Sequence, residues 1–365
     1  MTVTQEPRAA AEASAIESRG PEPSASRCVV VYGAYGHTGR FVVAELRRRG
    51  WTPVLSGRDA AKLATLGEAY PALARRPASI SDAGALDRAL AGTVAVINCA
   101  GPFLDTATPL IEAALRAGIP YLDVTAEQQA ALDVFEHHGD AARHAGVAVL
   151  PGLAFYGGLA DLLATQAMGE WREVDAIEVA VALDGWHPTE GTRLTGRRNH
   201  YRRRVVANGR LDLLPDPAPQ RDWTFAGPFG MQPMVELPFS ETITISRHLR
   251  VRELHSYLNR RALEDVRDAG TPAPVAVDAQ GRSAQRFTME VIVHRDGRQR
   301  RLAASGQDIY AITAPLVVEA MTRIVDGRCR GVGVLAAGEA FDAADFLAAL
   351  PGVELEPVRF AQCAG

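Results

Sequence analysis

Lysine is almost absent from this sequence of 365 residues: Lys62 is the only one, so nearly all of its 39 Lys and Arg side chains are arginine. With Arg58 four positions before that lysine, the chain cannot form the Tyr-x-x-x-Lys pair in which an ammonium lowers a catalytic tyrosine's pKa. Cysteine is sparse as well. Cys28, Cys99, Cys329 and Cys363 lie far apart without a C-x-x-C pairing, which frames neither a disulfide scaffold nor a zinc site and makes a reducing cytoplasm the expected compartment. There is no His-Glu-x-x-His pattern and no nucleophile elbow, so no metal is expected. No uninterrupted apolar stretch approaches the ~18 residues of a membrane span. The formal net charge of −4 is too small to argue for a nucleic-acid partner. Residues 1–26, rich in Ala, Ser, Glu and Pro, lack an apolar h-region and carry acids beside arginines; they read as a disordered tail.

What the sequence does have is a strong opening motif. The run Cys28-Val29-Val30-Val31-Tyr32 is short and β-branched, as expected of a strand buried on both faces of a parallel sheet. Gly33-Ala34-Tyr35-Gly36-His37-Thr38-Gly39 follows, and then a helical stripe of Phe41, Val42, Val43 and Leu46 closed by Arg47 to Arg49 and Gly50. Three glycines in seven residues let the backbone turn tightly and let a phosphate approach the amides, while the helix N-terminus offers unpaired N–H groups to a pyrophosphate. The spacing is G-x-x-G-x-x-G rather than G-x-G-x-x-G, but strand before and helix after are the context that gives such a motif meaning. An ordinary βα turn is the plainer alternative.

The second strand, Thr52 to Leu55, bears on which dinucleotide is bound. NAD sites usually place an acid near its end, for the ribose 2′-OH. Here the chain continues Ser56-Gly57-Arg58-Asp59-Ala60-Ala61-Lys62, and a hydroxyl, a guanidinium and an ammonium suit a 2′-phosphate. NADP (NADPH) is the expected cofactor, with a solvated helix start as the bland alternative.

The βα rhythm continues. A strand near Arg75 to Ile80 leads to a cap at Ser81-Asp82 and a helix to Leu90; Val94 to Cys99 then runs into Ala100-Gly101-Pro102-Phe103. Cys99, Ala100, Gly101 and Pro102 would thus lie at the carboxyl edge of the sheet, where small residues let a nicotinamide ribose approach. A helix from about Thr106 to Ala117, a strand Tyr121 to Val124 and the polar cluster Thr125-Ala126-Glu127-Gln128 come next, with capping as the alternative role for Thr125. His137, His138 and His144 read as surface residues of the following helix. Val147 to Leu150 makes a sixth strand, and Pro151-Gly152 marks the exit.

This series of motifs resembles the saccharopine dehydrogenase-like family, including its stand-alone members that act as trans-acting enoyl reductases. The matching residues are Gly33 to Arg40, Ser56 to Asp59, Asn98 to Phe103 and Tyr121 to Glu127. Gly152 to Leu162 keeps the family's aromatic and its Asp161 but lacks its Pro-Ser pair, a departure that bears on substrate more than on cofactor. The resemblance implies that the closing segment from residue 306, with Tyr310 and Thr313, returns to the nucleotide domain.

The second half changes texture. Ile177 to Leu183 reads as a strand, Arg203 to Ala207 and Arg210 to Leu214 flank Asn208-Gly209, and Phe287 to His294 and Arg298 to Ala304 flank Asp296-Gly297. The expected fold is α/β: a Rossmann-type doubly wound parallel sheet over residues 27–150, joined by 306–365, and a second α+β domain, 151–305, built on a mixed or antiparallel sheet. Arg193 to Arg210 holds seven arginines and no acid, either a solvated basic loop or a dock for an anionic carrier. A helix to about Val325, a strand from Gly331 to Leu335 and a helix Ala343 to Leu350 complete the expected elements.

The function expected is that of an NADP-dependent oxidoreductase reducing an enoyl, carbonyl or imine group of a small or carrier-bound metabolite. Tyr156, Thr125 and Glu127 are the candidates for proton donation or substrate polarisation, because each follows a strand ending at the crevice; packing and capping are their alternative roles. A non-catalytic NADP-binding sensor or scaffold is the second function class, and a homodimer is compatible with either.

Overall fold

The computed structural model describes residues 1–2 and 27–362, so the tail expected over residues 1–26 lies outside the described residues apart from Met1 and Thr2. Six strands open the chain: β1 (Cys28–Tyr32), β2 (Thr52–Gly57), β3 (Arg75–Pro77), β4 (Ala95–Asn98), β5 (Tyr121–Asp123) and β6 (Ala148–Leu150). Between them run α1 (His37–Arg48), α2 (Ala60–Ala69), α3 (Ala83–Leu90), α4 (Phe103–Ala117), α5 (Gln128–His137) and α6 (Gly139–Ala145). All six strands pair in parallel, in the order β6-β5-β4-β1-β2-β3. The two-residue period of the strands puts Val29, Val31, Leu55, Ile97 and Leu122 into one core and Val30, Tyr32, Val54, Val96 and Tyr121 into the other. That is why these segments read as unbroken apolar runs.

One histidine departs from expectation. The single helix expected after β5 breaks at His138, whose ring is buried and shares a 3.1 Å hydrogen bond between Nε2 and Thr108 Oγ1. Burial lowers its pKa, so His138 is a core residue and not a surface one.

A π-helical turn, Phe155–Leu159, leads into α7 (Ala160–Met168) and the second half. There β7 (Glu173–Leu183), α8 (Glu190–Arg198), β8 (Arg204–Ala207), β9 (Arg210–Leu213), β10 (Gln220–Thr224) and β11 (Met231–Glu236) come first. They are followed by α9 (Ser240–His248), β12 (Arg250–Asn259), α10 (Arg260–Arg267), β13 (Arg286–Arg295) and β14 (Arg298–Gln307). The sheet runs β10-β11-β12-β7-β13-β14 and is mixed: β7 and β12 are parallel, the other neighbours antiparallel. Both hairpins form at the expected turns, with Asn208 (φ 52°) and Asp296 (φ 49°) in the left-handed region that Asn and Asp tolerate.

The chain then crosses back. Helix α11 (Thr313–Val325) packs on α1, tied by Trp51 Nε1 donating to Thr322 Oγ1 (3.2 Å) and by Glu319, which bridges Arg49 and Arg323. β15 (Gly333–Val334) extends the parallel sheet beside β6, and α12 (Ala337–Ala340) and α13 (Ala343–Ala348) pack on α7. Two further strands, β16 (Val353–Leu355) and β17 (Arg359–Gln362), pair with β14 in the mixed sheet; both are too short to show in the sequence. One apolar core, including Val31, Leu55, Val181 and Val291, runs through both sheets. Among the described residues no helix is long and apolar enough to cross a membrane.

Candidate functional site

The glycine turn is shaped by two contacts. Gly33 sits at φ 82° with its amide on the Ser56 carbonyl (2.8 Å), and a Cβ there would come within 2.9 Å of the Ala100 Cβ. At Gly39 a Cβ would run into the Gly33 carbonyl oxygen, so α1 leaves the turn with its backbone against the loop. The result is a helix start with nothing on it. Gly36 is the N-cap residue, no side chain caps the helix, and its first turn holds no acid. Some other helices are capped, α2 by Asp59, α3 by Asp82, α8 by Thr189 and α13 by Asp342, and Glu127 Oε1 accepts from the Phe103 amide of α4 (2.8 Å). α5, α10 and α11 share the bare start of α1, which is set apart by its glycine turn opening on a cleft. The open positive end of α1 fits a pyrophosphate, and the small residues around it leave the amides approachable.

This helix start forms one wall of a cleft of about 1210 Å³. Pockets for a single small ligand measure ~300–1,000 Å³, so this larger space suits a dinucleotide with a second molecule beside it. Of the residues expected at the cofactor, Tyr35, Gly36, His37, Thr38, Lys62, Cys99 and Gly101 line the cleft. Gly33, Gly39, Gly57, Ala100 and Pro102 do not; Gly33 and Gly39 shape the turn from behind. Arg58 is exposed at the end of β2, and Lys62 Nζ lies 5.8 Å from the centre of the Tyr35 ring. Ser56 is a correction: its hydroxyl is buried and donates to the Arg76 carbonyl (2.7 Å), because the strand continues to Gly57 and turns that side chain inward. It has no hydroxyl to give a phosphate. The Cys99 thiol is pushed up by burial and then by Asp123, and stays a neutral thiol.

The facing wall is aromatic. Tyr156 stacks on Phe239 with ring centres 4.0 Å apart, and Trp186 lies 5.7 Å from Tyr156. The π-helical turn places Tyr156, all five of its residues being buried. Tyr310 bridges the two walls. Its ring packs edge-on against His37, and its hydroxyl accepts from Trp186 Nε1 (2.9 Å) and meets Thr192 Oγ1 (3.0 Å). Burial lowers the His37 pKa and leaves the imidazole neutral.

The three candidate catalytic residues separate. Tyr156 lines the cleft, and its hydroxyl, buried and without a hydrogen-bond partner, is held well above its ordinary pKa by burial. Glu127 also lines the cleft, with its pKa raised by burial, but one oxygen is committed to the start of α4. Thr125 is a correction. Its side chain is fully buried and accepts from the Glu127 amide (3.0 Å), while Ser240 Oγ donates to its carbonyl; it makes the turn and cannot reach a substrate. Asp161 likewise lies off the cleft, paired with His248 (2.6 Å) and accepting from the Gly338 amide.

The arginine-rich segment needs correction too. It is not one solvated loop: Arg193 to Arg198 lie on α8, Arg198 pairs with Asp105 (2.8 Å), and Arg193 donates to the Asp268 and Thr271 carbonyls. Arg203 is drawn down into the aromatic wall, stacked over Phe239 at 4.6 Å, with burial lowering its pKa. Trp186 and Phe239 are not marked by any motif, and Arg203 is marked only as part of the basic segment, because they come from three segments that only the mixed sheet brings together. Off the cleft, Asp133, Glu136 and His137, the first half-buried and the others exposed, hold their ligand atoms within 4.8 Å of one another.

A parallel sheet with a glycine turn into an uncapped helix, facing a cleft at its carboxyl edge, defines a Rossmann-type dinucleotide-binding protein. Residues 29–150 match the sequence profile of the saccharopine dehydrogenase NADP binding domain. A probable mitochondrial saccharopine dehydrogenase-like oxidoreductase of Arabidopsis thaliana is 29% identical over 150 residues, 37% of this chain and 33% of that protein. A saccharopine dehydrogenase-like oxidoreductase of Bos taurus is 28% identical over 152 residues, 37% of this chain and 35% of its own. The matched region thus spans about a third of these relatives' length. The apo saccharopine dehydrogenase (L-Glu forming) of Saccharomyces cerevisiae shares the fold, with a TM-score of 0.63 over 92% of this chain and 99% of that one at 12% identity. The nucleotide-binding region of this chain belongs to the saccharopine dehydrogenase NADP-binding family, and its cofactor is NADP(H).

Proposed function

We propose that the protein is an NADP(H)-dependent oxidoreductase that reduces an enoyl, carbonyl or imine group of an anionic metabolite, free or carrier-bound. One observation carries this: the uncapped start of α1 and the aromatic wall of Tyr156, Trp186 and Phe239 face each other across one cleft with room for both reactants. The bound nicotinamide would supply the hydride. The protein's part is to orient, to exclude water and to provide a proton. Gly36, His37 and Thr38 would hold the pyrophosphate, Arg58 and Lys62 the 2′-phosphate, and Cys99 and Gly101 would flank the nicotinamide ribose.

Charge supports an anionic substrate. Arg40, Lys62, Arg193, Arg197, Arg203 and Arg267 line the cleft against only Glu127 and Glu190. Arg203, stacked on Phe239 and bonded to the Pro238 carbonyl, is the cation set into the aromatic wall. Leu263, Val266, Ala273 and Pro274 add an apolar side that suits an acyl chain. Cys99 and Cys329 are free thiols, consistent with a reducing compartment such as the cytoplasm.

The test is NADPH oxidation with a 2-enoyl thioester, a 2-oxo acid and a cyclic imine carboxylate as acceptors. Oxidation that appears only when one of these is added supports the proposal. Tight NADPH binding without turnover of any acceptor contradicts it and favours the sensor or scaffold.

A further inference from the structure

Behind the aromatic wall lies a second, much smaller cavity. It measures about 10 Å³ and is bounded by Tyr156, Phe239, Glu241, Ser256 and Tyr257. That is close to the ~10–15 Å³ one water molecule needs. Tyr156 belongs to the walls of both cavities and so separates the cleft from this chamber. Tyr156 Oη is buried without a hydrogen-bond partner, while Glu241 Oε2 and Ser256 Oγ, which also lack a partner of good geometry, lie near enough for the Ser256 hydroxyl to act on the carboxyl. Buried polar atoms left poorly partnered are costly, so this group around one small cavity is an unfavourable arrangement for packing alone.

Glu241 is fixed there by its backbone. It lies in the first turn of α9, its Oε1 accepts from the Phe239 amide (2.8 Å), and its side chain is almost fully buried. The same helix start is pinned to the cofactor half through Ser240 Oγ on the Thr125 carbonyl (2.9 Å).

We propose that Glu241 is the proton store of the reaction and Tyr156 the group that hands the proton to the substrate. The inference rests on the reductase reading above. The substrate carbon receives a hydride from the reduced nicotinamide, and the electron pair of its C=O, C=N or C=C bond shifts to oxygen, nitrogen or the α-carbon. That atom takes the Tyr156 phenolic proton once the buried hydroxyl is turned toward it. The tyrosinate oxygen takes the Glu241 carboxyl proton across the chamber, through the Ser256 hydroxyl or a water, and Glu241 is reprotonated from solvent. In sum NADPH, substrate and one proton become NADP and reduced substrate.

The charges around the chamber suit this role. Burial lifts the Glu241 pKa to about 7, against the opposing pull of the Phe239 amide, Ser256 and the Arg203 guanidinium. Tyr156 faces it from the π-helical turn and stays a neutral phenol. Tyr257 faces the chamber from β12, and the Asp161–His248 pair lies at the far end of α9. Reduction should therefore slow as pH rises through about 7, where the store empties.

Glu241→Gln keeps the oxygen that accepts from Phe239 and removes the proton. The cofactor-free protein is titrated first by infrared spectroscopy: a protonated-carboxyl C=O band that disappears near pH 7 should be present in the parent and missing in Glu241→Gln. With whichever of the three acceptors the parent turns over, Glu241→Gln and Tyr156→Phe should each lower kcat about 10- to 100-fold at little change in KM, and the double variant should fall no further. The limb near pH 7 should vanish from the kcat profile of Glu241→Gln. Should Glu241→Gln not fold, a Tyr156→Phe protein with parental kcat overturns the relay by itself. A missing band, or a Glu241→Gln enzyme with the parental profile, overturns it as well. A parent that turns over no acceptor sinks the reductase reading instead, so the two failures are distinct.

Discussion

On the proposed reading Arg58 and Lys62 would set which dinucleotide is preferred, and what stands between them bears on it. Asp59 is the one acid at the end of β2, and its carboxylate is committed to the Lys62 amide as the cap of α2 (3.0 Å). It is not free to bind a ribose 2′-OH or to repel a 2′-phosphate. Arg58→Ala should weaken NADPH by about 1.5–3 kcal/mol and NADH hardly at all, measured by fluorescence titration of both cofactors. Equal losses would contradict the assignment. A second residue-scale prediction concerns Glu241, whose carboxyl is raised by burial from 4.5 to about 7. A folded pKa above the unfolded one gives stability that is complete below about pH 4.5 and lost as pH rises through 7. Raising the pH from 4.5 to 8 should thus cost the parent about 3 kcal/mol relative to Glu241→Gln in denaturant titrations. A difference independent of pH would show that this carboxyl is not held protonated.

At the scale of elements, the β1–α1 turn separates shape from binding. A Cβ at Gly36 would meet only the Gly33 carbonyl, at 3.1 Å, whereas one at Gly39 would collide with that oxygen outright. Gly36→Val should therefore fold, with parental circular dichroism, and lose NADPH binding by at least tenfold; Gly39→Val should lose several kcal/mol of stability. Unchanged NADPH binding by folded Gly36→Val would contradict the pyrophosphate site. This turn was the most legible part of the chain, because its strand, glycines and helix are contiguous and each obeys a local rule. Thr125 and Ser56 were not legible in the same way. Both are polar residues at the carboxyl edge of the sheet, and only the register of β2 and the turn after β5 show that their hydroxyls point inward. His138 failed for a related reason: a helix break rotated it onto Thr108.

At the scale of the whole molecule, the parallel sheet and both hairpins followed from periodicity and turn residues, but the opposite wall of the cleft, apart from Tyr156 and the basic segment that holds Arg203, did not. Trp186, Arg203, Phe239 and Tyr310 are far apart in sequence, and it is the parallel pairing of β7 with β12 and the return of the chain before α11 that gather them at the glycine turn. Glu241 was invisible for the same reason, since an acid in the first turn of a helix ordinarily answers the helix dipole at the surface. The proposed function depends on this gathering, because hydride transfer requires the nicotinamide and the acceptor to share one enclosed space. The most direct measurement is isotope transfer from NADPH carrying deuterium at the reactive C4 position, with the enoyl thioester, oxo acid and imine carboxylate offered in turn and the products read by mass spectrometry. The account predicts that one acceptor gains a single deuterium at its reduced carbon, and that Tyr156→Phe slows this without weakening NADPH binding. If NADPH binds tightly and the deuterium stays on the cofactor with every acceptor, the cleft is a cofactor site without a reaction.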